Sequence, residues 1–177
     1  MANPLLKYMR IKTLIINHKL LIIILLISAA LRLWKLSTIP PHLTPDEAAL
    51  GYNAYSILRT GRDEYGELLP VIFKSFGDFK PGLYVYLTVP FVAIFGLTEF
   101  TVRLPSAIAG VFAIWFIFLI INQFKNSQLG LIAAFLLAIN PWHIHFSRGA
   151  WEANVSLTLT LIGIYFFLKS LKNSKFL

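Results

Sequence analysis

Adjacent acids follow the first long apolar run of the sequence, in the segment Thr44-Pro45-Asp46-Glu47. Thr44 is a typical helix cap, Pro45 suits the first helical position, and Glu47 is spaced to close a capping box. The two acids could therefore act only as capping groups that the helix dipole favours. A catalytic alternative is a carboxylate that accepts a proton from a hydroxyl group near a membrane surface. The pattern leaves both interpretations open.

Basic residues stand at the edges of the next apolar runs. Lys80 precedes Pro81, and a helix beginning at Pro81 would point free N–H groups and its positive end at an anion such as a lipid phosphate. Arg103 opens another apolar run. Either residue could instead be an interfacial anchor whose charged end reaches towards water.

A second polar cluster lies between two apolar runs near the end of the chain. Arg148 and Glu152 are four residues apart and, if helical, could form a surface pair. His143 and His145 alternate, but two histidines without a fixed third ligand favour a non-metal interpretation. The sequence therefore predicts no metal site at these histidines. It leaves open whether the protein uses a divalent cation as a cofactor.

The composition indicates a membrane protein. Of the 177 residues 57% are hydrophobic and 14% are charged, whereas a soluble domain has about a quarter of its residues charged. The net charge of +8 does not indicate nucleic-acid binding, because the basic residues flank apolar runs rather than lining one polar face.

Four apolar stretches are long enough, with their flanks, to cross a bilayer as helices. They are Leu14–Leu36, Arg103–Ile121, Leu129–Asn140 and Val155–Leu171. A fifth stretch, Pro81–Leu97, is interrupted by Pro and Gly and fits either a span or a broken interfacial helix.

Charge placement favours four spans. With Pro81–Leu97 outside the bilayer, the basic N-terminal tail (Lys7, Arg10, Lys12), Lys125 and the C-terminal lysines (Lys169, Lys172, Lys175) share one side, as expected of a cytoplasmic face. All eight acids then lie on the other side. We predict an all-α polytopic membrane protein in a single domain (1–177), with external loops at 37–102 and 141–154. Two interfacial helices, one from about Pro45 to Arg59, lie in the first loop.

The order of these features resembles the N-terminal part of the protein O-mannosyltransferase and aminoarabinose transferase superfamily, which are glycosyltransferases of the GT-C fold. The resemblance rests on Asp46-Glu47 in a long loop, Lys80-Pro81, Arg103-Leu104-Pro105-Ser106 opening a span, and Ser147-Arg148 followed by Glu152. Two positions depart from the family pattern: Gly82 replaces the second proline of Lys-Pro-Pro, and Glu152 stands where many relatives have Asp.

The resemblance implies an inverting transfer of a sugar from a polyprenyl-phosphate donor to a hydroxyl of a protein, lipid or glycan on the extracytoplasmic face. Asp46 would be the catalytic acid of the loop, with Glu47 beside it. Lys80, Arg103 and Arg148 would neutralise the donor phosphate, and Glu152 would be a second acid. The expected partners are the bilayer, the lipid-linked sugar, and a further C-terminal part or partner subunit.

Two other function classes are compatible with a membrane protein of this composition. A transporter would carry ionisable groups near the middle of its spans, but the charges here lie near the span ends. A non-catalytic membrane module that binds polyprenyl lipid or assembles with a fuller enzyme stays open.

Overall fold

The computed structural model of the chain describes residues 4–173, with side chains described from 16 to 172. The predicted cytoplasmic residues Lys7, Arg10, Lys12 and Lys175 lie outside the described side chains. The elements are, in chain order, α1 (Pro4–Leu33), α2 (Pro45–Thr60), β1 (Ile72–Ser75), β2 (Asp78–Pro81), α3 (Leu83–Phe95), α4 (Glu99–Asn122), α5 (Ser127–Ile139), α6 (Pro141–Arg148) and α7 (Glu152–Asn173).

The helices confirm a mostly helical polytopic membrane protein. Within residues 4–173, three helical stretches are long and apolar enough to cross a bilayer: Ile16–Leu33, Glu99–Asn122 and Glu152–Lys172. A fourth crossing is available if α5 and α6 are one span, bent by 59° at Asn140. Helix α3, at 13 residues, is shorter than a span needs. The helix α6 occupies most of the segment 141–154 that we predicted as the second external loop.

Helix α2 begins and ends as its sequence predicts. The Thr44 hydroxyl accepts from the Glu47 N–H, and the Glu47 carboxylate accepts from the Thr44 N–H, which completes the capping box. The helix ends at Thr60 before Gly61, which has a left-handed φ of 69°. The predicted helix from about Pro45 to Arg59 is confirmed, and its interfacial position stays a prediction.

A two-stranded hairpin precedes α3, and the sequence interpretation missed it. Strands β1 and β2 are antiparallel, with Phe73 opposite Lys80. Phe76 and Gly77, at the turn, both have positive φ, 48° and 88°, as a tight hairpin turn requires. Strand alternation then directs Phe73 and Lys80 to the buried face.

The predicted helix start at Pro81 is wrong, because Pro81 belongs to β2 and α3 begins at Leu83. Between them, the Gly82 N–H donates to the Val71 carbonyl at 2.8 Å. A Cβ atom at Gly82 would lie 2.6 Å from that same oxygen. Proline at this position would lack the N–H donor, and its ring would collide with the Val71 carbonyl. The close approach of the hairpin therefore explains why Gly82 replaces the second proline of Lys-Pro-Pro.

Two hydrophobic clusters hold the helices together. The first cluster joins α2, the hairpin and α3 to the N-terminal ends of α4 and α7, and it includes Leu50, Phe73, Tyr84, Val102 and Val155. The second cluster joins α1, α4 and α5, and it includes Leu21, Ile114, Phe118, Ala134 and Ala138. Small side chains in the second cluster allow close helix packing where lipid removes most of the hydrophobic driving force. The candidate site lies beside the first cluster.

Candidate active site

Asp46 and Lys80 form an ion pair that joins α2 to the hairpin. The Lys80 Nζ contacts the Asp46 carboxylate across 34 residues of sequence. The Lys80 side chain is 11% exposed and the Asp46 side chain 55% exposed. The capped start of α2 fixes the acid, and the buried face of β2 fixes the lysine. The pair therefore presents a fixed carboxylate to its surroundings.

Glu47 points the other way, into a buried network. Its Oε1 accepts from the Arg103 Nε at 2.9 Å and from the Ala150 N–H at 3.0 Å, and its Oε2 accepts from the Thr44 N–H at 2.9 Å. Burial opposes ionisation, but the hydrogen bonds from Arg103, Thr44 and Ala150 outweigh it and hold the pKa of Glu47 below its ordinary value. Glu47 thus links α2, α4 and the start of α7.

Arg103 is fully buried, and protein acceptors occupy its guanidinium. Besides binding both oxygens of Glu47, it donates to the carbonyls of Leu36 (3.2 Å), Pro40 (2.8 Å) and His42 (2.6 Å). These carbonyls belong to the segment that joins α1 to α2. Arg103 therefore fixes that segment against the N-terminal end of α4.

Arg148, in α6, binds the end of α1 and the same connecting segment. Its guanidinium donates to the carbonyls of Leu31 (2.7 Å), Trp34 (2.7 Å) and Ile39 (2.8 Å). Direct phosphate binding by Arg103 and Arg148 stays a prediction, and it would require these arginines to exchange protein acceptors for the phosphate. Their clamp on residues 31–42 was not foreseen, since no sequence pattern marks backbone carbonyls as arginine partners.

Glu152 begins α7 at the mouth of a cavity of about 480 Å³, which Pro81, Leu83 and Tyr84 also line. Its side chain is half-buried. Across the part of the chain that the structure describes, its carboxylate forms no hydrogen bond or ion pair. The alternative of a helical pair with Arg148 does not hold, because α6 ends at Arg148 and α7 begins at Glu152.

The two histidines are not arranged around a common point for a metal. His143 Nδ1 lies 2.7 Å from the Arg32 guanidinium, and the His145 ring packs against Phe146. Among the residues with described side chains, no group of three or more His, Asp or Glu could hold a metal ion. Arg32, in the last turn of α1, is fully buried and also donates to Ser28 and to the Ala138 carbonyl.

The predicted residues thus form three arrangements: the ion pair of the exposed Asp46 with the largely buried Lys80, the buried Glu47–Arg103 pair, and Glu152 in the wall of a cavity. Residues 80–176 match the family model of dolichyl-phosphate-mannose-protein mannosyltransferases, which covers more than half of the chain. The chain belongs to this family.

Membership makes the protein a membrane glycosyltransferase of the GT-C kind. The matched segment contains four predicted site residues, Lys80, Arg103, Arg148 and Glu152, whereas Asp46 and Glu47 lie upstream of it. Neither a curated protein nor a solved structure matches the chain.

Proposed function

We propose that this chain transfers a sugar from a polyprenyl-phosphate donor to an acceptor hydroxyl, with inversion at the anomeric carbon, on the extracytoplasmic side of the cell membrane. The observation that carries the proposal is the pair of Asp46 and Lys80. It combines an exposed carboxylate with a largely buried ammonium where α2 and the hairpin meet.

Asp46 is the base in this proposal. The acceptor oxygen bonds to the anomeric carbon while the bond from that carbon to the phosphate oxygen breaks. The acceptor proton passes to Asp46, and the bonding electron pair leaves with the polyprenyl phosphate. Attack from the face opposite the phosphate inverts the configuration. Asp46 suits this role because only one of its oxygens contacts Lys80.

Lys80 is the cation nearest the leaving phosphate. A lysine ammonium has three N–H donors, and Asp46 is the hydrogen-bond partner seen for it among the described residues. The remaining donors can bind phosphate oxygens. A fixed positive charge in a poorly solvated site stabilises the charge that develops there. Arg103 and Arg148 add positive potential behind it while they hold the segment 31–42.

The test compares Asp46→Asn and Asp46→Glu with Asp78→Asn, a matched exposed acid at the hairpin turn. Each variant is reconstituted in vesicles with a radiolabelled polyprenyl-phosphate sugar, and product formation is normalised to inserted protein. We expect Asp46→Asn to lower transfer by at least 100-fold, and Asp78→Asn to leave it unchanged. If Asp46→Asn transfers sugar at the wild-type rate, Asp46 is not the base and only the capping interpretation is left. Polyprenyl-phosphate binding without transfer by the wild-type chain would favour the non-catalytic module.

The proposed orientation is testable with single cysteines, because the natural chain has none. A membrane-impermeant maleimide applied to intact cells should label Tyr65→Cys in the outer loop. It should label Asn126→Cys, between α4 and α5, only after the membrane is opened. The reverse pattern would place the candidate site in the cytoplasm.

A further inference from the structure

A groove runs along α7 from the candidate site to the depth of the spans. Its outer part is the cavity of about 480 Å³ at Glu152, and its inner part is a cavity of about 380 Å³ between α3, α4 and α7. Val155 and Leu159 line both cavities. Because the two parts share these walls, one elongated molecule could occupy both.

The outer part of the groove is mostly apolar, but it carries one polar stripe. Glu152, Ser156 and Thr160 all line it, and their spacing of four residues puts them on one face of α7. Glu152 has no protein partner in the described part of the chain. No lining residue of the outer part carries a positive charge, and the nearby Lys80 is paired with Asp46. A carboxylate beside two hydroxyl groups fits a head bearing hydroxyls, and it repels a phosphate.

The inner part is apolar. Leu87 and Phe91 of α3 face Phe112 and Trp115 of α4, with Ile162 of α7 beside them. Since α4 and α7 are spans, this part lies at a depth where a hydrocarbon chain is the natural occupant. The groove as a whole matches an amphiphile with a hydroxyl-bearing head and a hydrocarbon tail.

The groove opens at the candidate site. Pro81 lines its mouth and directly follows Lys80. On the other wall, the Ala150 N–H, two residues before Glu152, donates to Glu47, the neighbour of Asp46. The groove end at Glu152 is therefore formed by residues close in the chain to Lys80 and to Ala150, the partner of Glu47, and in our proposal a head group bound there reaches Asp46.

We propose that this groove binds the acceptor, a neutral hydroxyl-bearing lipid such as a glycolipid, and presents one of its hydroxyls to Asp46. The inference rests on the proposed transfer reaction and narrows its acceptor to a membrane lipid. The donor is excluded from the groove by the carboxylate at its mouth, because its phosphate needs cations that the groove walls lack.

The test uses a photoreactive glycolipid: diacylglycerol carrying one glucose and a diazirine in an acyl chain. The full chain is reconstituted in phosphatidylcholine nanodiscs, irradiated and mapped by mass spectrometry. We expect labelling of the α3 and α7 segments that line the groove. An excess of the same glycolipid without the diazirine should reduce it at least fivefold, and an equal excess of polyprenyl phosphate should not.

Two tryptophan variants of α7 provide the structural control. Leu159→Trp fills the shared wall of the groove, whereas Ile164→Trp adds the same bulk at an exposed position outside both cavities. We expect Leu159→Trp to lower labelling at least fivefold and Ile164→Trp to leave it unchanged. Equal labelling in the two variants would overturn the inference, as would displacement by polyprenyl phosphate or lack of competition by unlabelled glycolipid.

The binding readout separates this inference from the proposed function. Asp46→Asn should label like the wild type, because it removes the base and leaves the groove intact. If the wild type binds the glycolipid but transfers no sugar, the result contradicts the proposed transfer reaction and supports the groove as a lipid-binding site. If it transfers sugar to a soluble hydroxyl peptide equally well with and without Leu159→Trp, the groove is not the acceptor site and the reaction stands.

Discussion

Asp46 and Glu47 are neighbours in sequence with opposite environments. The Asp46 side chain is 55% exposed with one ion-pair partner, whereas the Glu47 side chain is 4% exposed and accepts hydrogen bonds from Arg103, Thr44 and Ala150. Successive residues of a helix point about 100° apart, so the start of α2 directs one acid outward and the other into the protein. The Asp46 carboxylate is therefore accessible to a substrate, whereas the Glu47–Arg103 pair is enclosed and holds α2 against α4.

The same contrast separates the cations. Lys80 meets one carboxylate, while Arg103 bonds Glu47 and three carbonyls of the segment between α1 and α2. The lysine ammonium is a point charge on a flexible side chain, so it can exchange a carboxylate for a phosphate. The arginine guanidinium is planar and has five N–H donors, so it suits lasting hydrogen bonds to several acceptors. Substitutions at the two pairs should therefore separate stability from activity.

Arg103→Met should have the largest effect on stability. It leaves the Glu47 carboxylate buried without its ion pair, which costs about 3–5 kcal/mol, and it releases the carbonyls of Leu36, Pro40 and His42. Size-exclusion chromatography after heating in detergent measures the surviving folded fraction. The control is Arg62→Met, since Arg62 is partly exposed and bonds the Gly66 carbonyl. Equal heat resistance of the two variants would contradict a structural role for Arg103.

Glu47→Gln should have an intermediate effect. The amide keeps the shape and one acceptor oxygen but loses the charge opposite Arg103, so we expect a loss of about 1–3 kcal/mol. Transfer activity should fall in proportion to the folded fraction. If folding is complete and transfer is lost, Glu47 acts directly in the chemistry, and the contrast with Asp46 disappears.

The stability of the protein should depend on pH through the ionisation of Glu47. Because its folded pKa is lowered, its ionisation stabilises the protein above the ordinary value of 4.5, and this contribution is lost as the pH falls through the lower folded pKa. Unfolding temperatures of the wild type and Glu47→Gln, measured from pH 7 to pH 3, should converge at the acid end. A gap independent of pH would show that Glu47 contributes packing rather than charge.

Lys80→Met should have the smallest effect on stability. Its partner Asp46 is more than half exposed, and such pairs contribute at most about 1 kcal/mol. Transfer should nevertheless fall about 100-fold or more if Lys80 binds the donor phosphate as proposed, and Lys80→Arg should retain part of the activity. Full activity in folded Lys80→Met would remove Lys80 from the reaction.

Local sequence determined the elements of this protein. The capping box of α2 uses residues three apart, and each span is a continuous apolar run, so both are legible without knowledge of the fold. The hairpin was harder to predict from the sequence. Its Phe-Gly turn is not a typical turn signal, and a broken apolar helix explained the residues around Pro81 equally well.

Only the tertiary structure decided which charges are paired. Asp46 meets Lys80 across 34 residues and Glu47 meets Arg103 across 56, and no local pattern encodes such separations. An arginine is available to a ligand only if backbone carbonyls do not already accept its hydrogen bonds. Because every residue type has the same backbone carbonyl, the sequence does not show which arginines are occupied in this way. The sequence therefore determined which residues could do chemistry, and the packing of α2, the hairpin and α4 decided which of them remain free to do it.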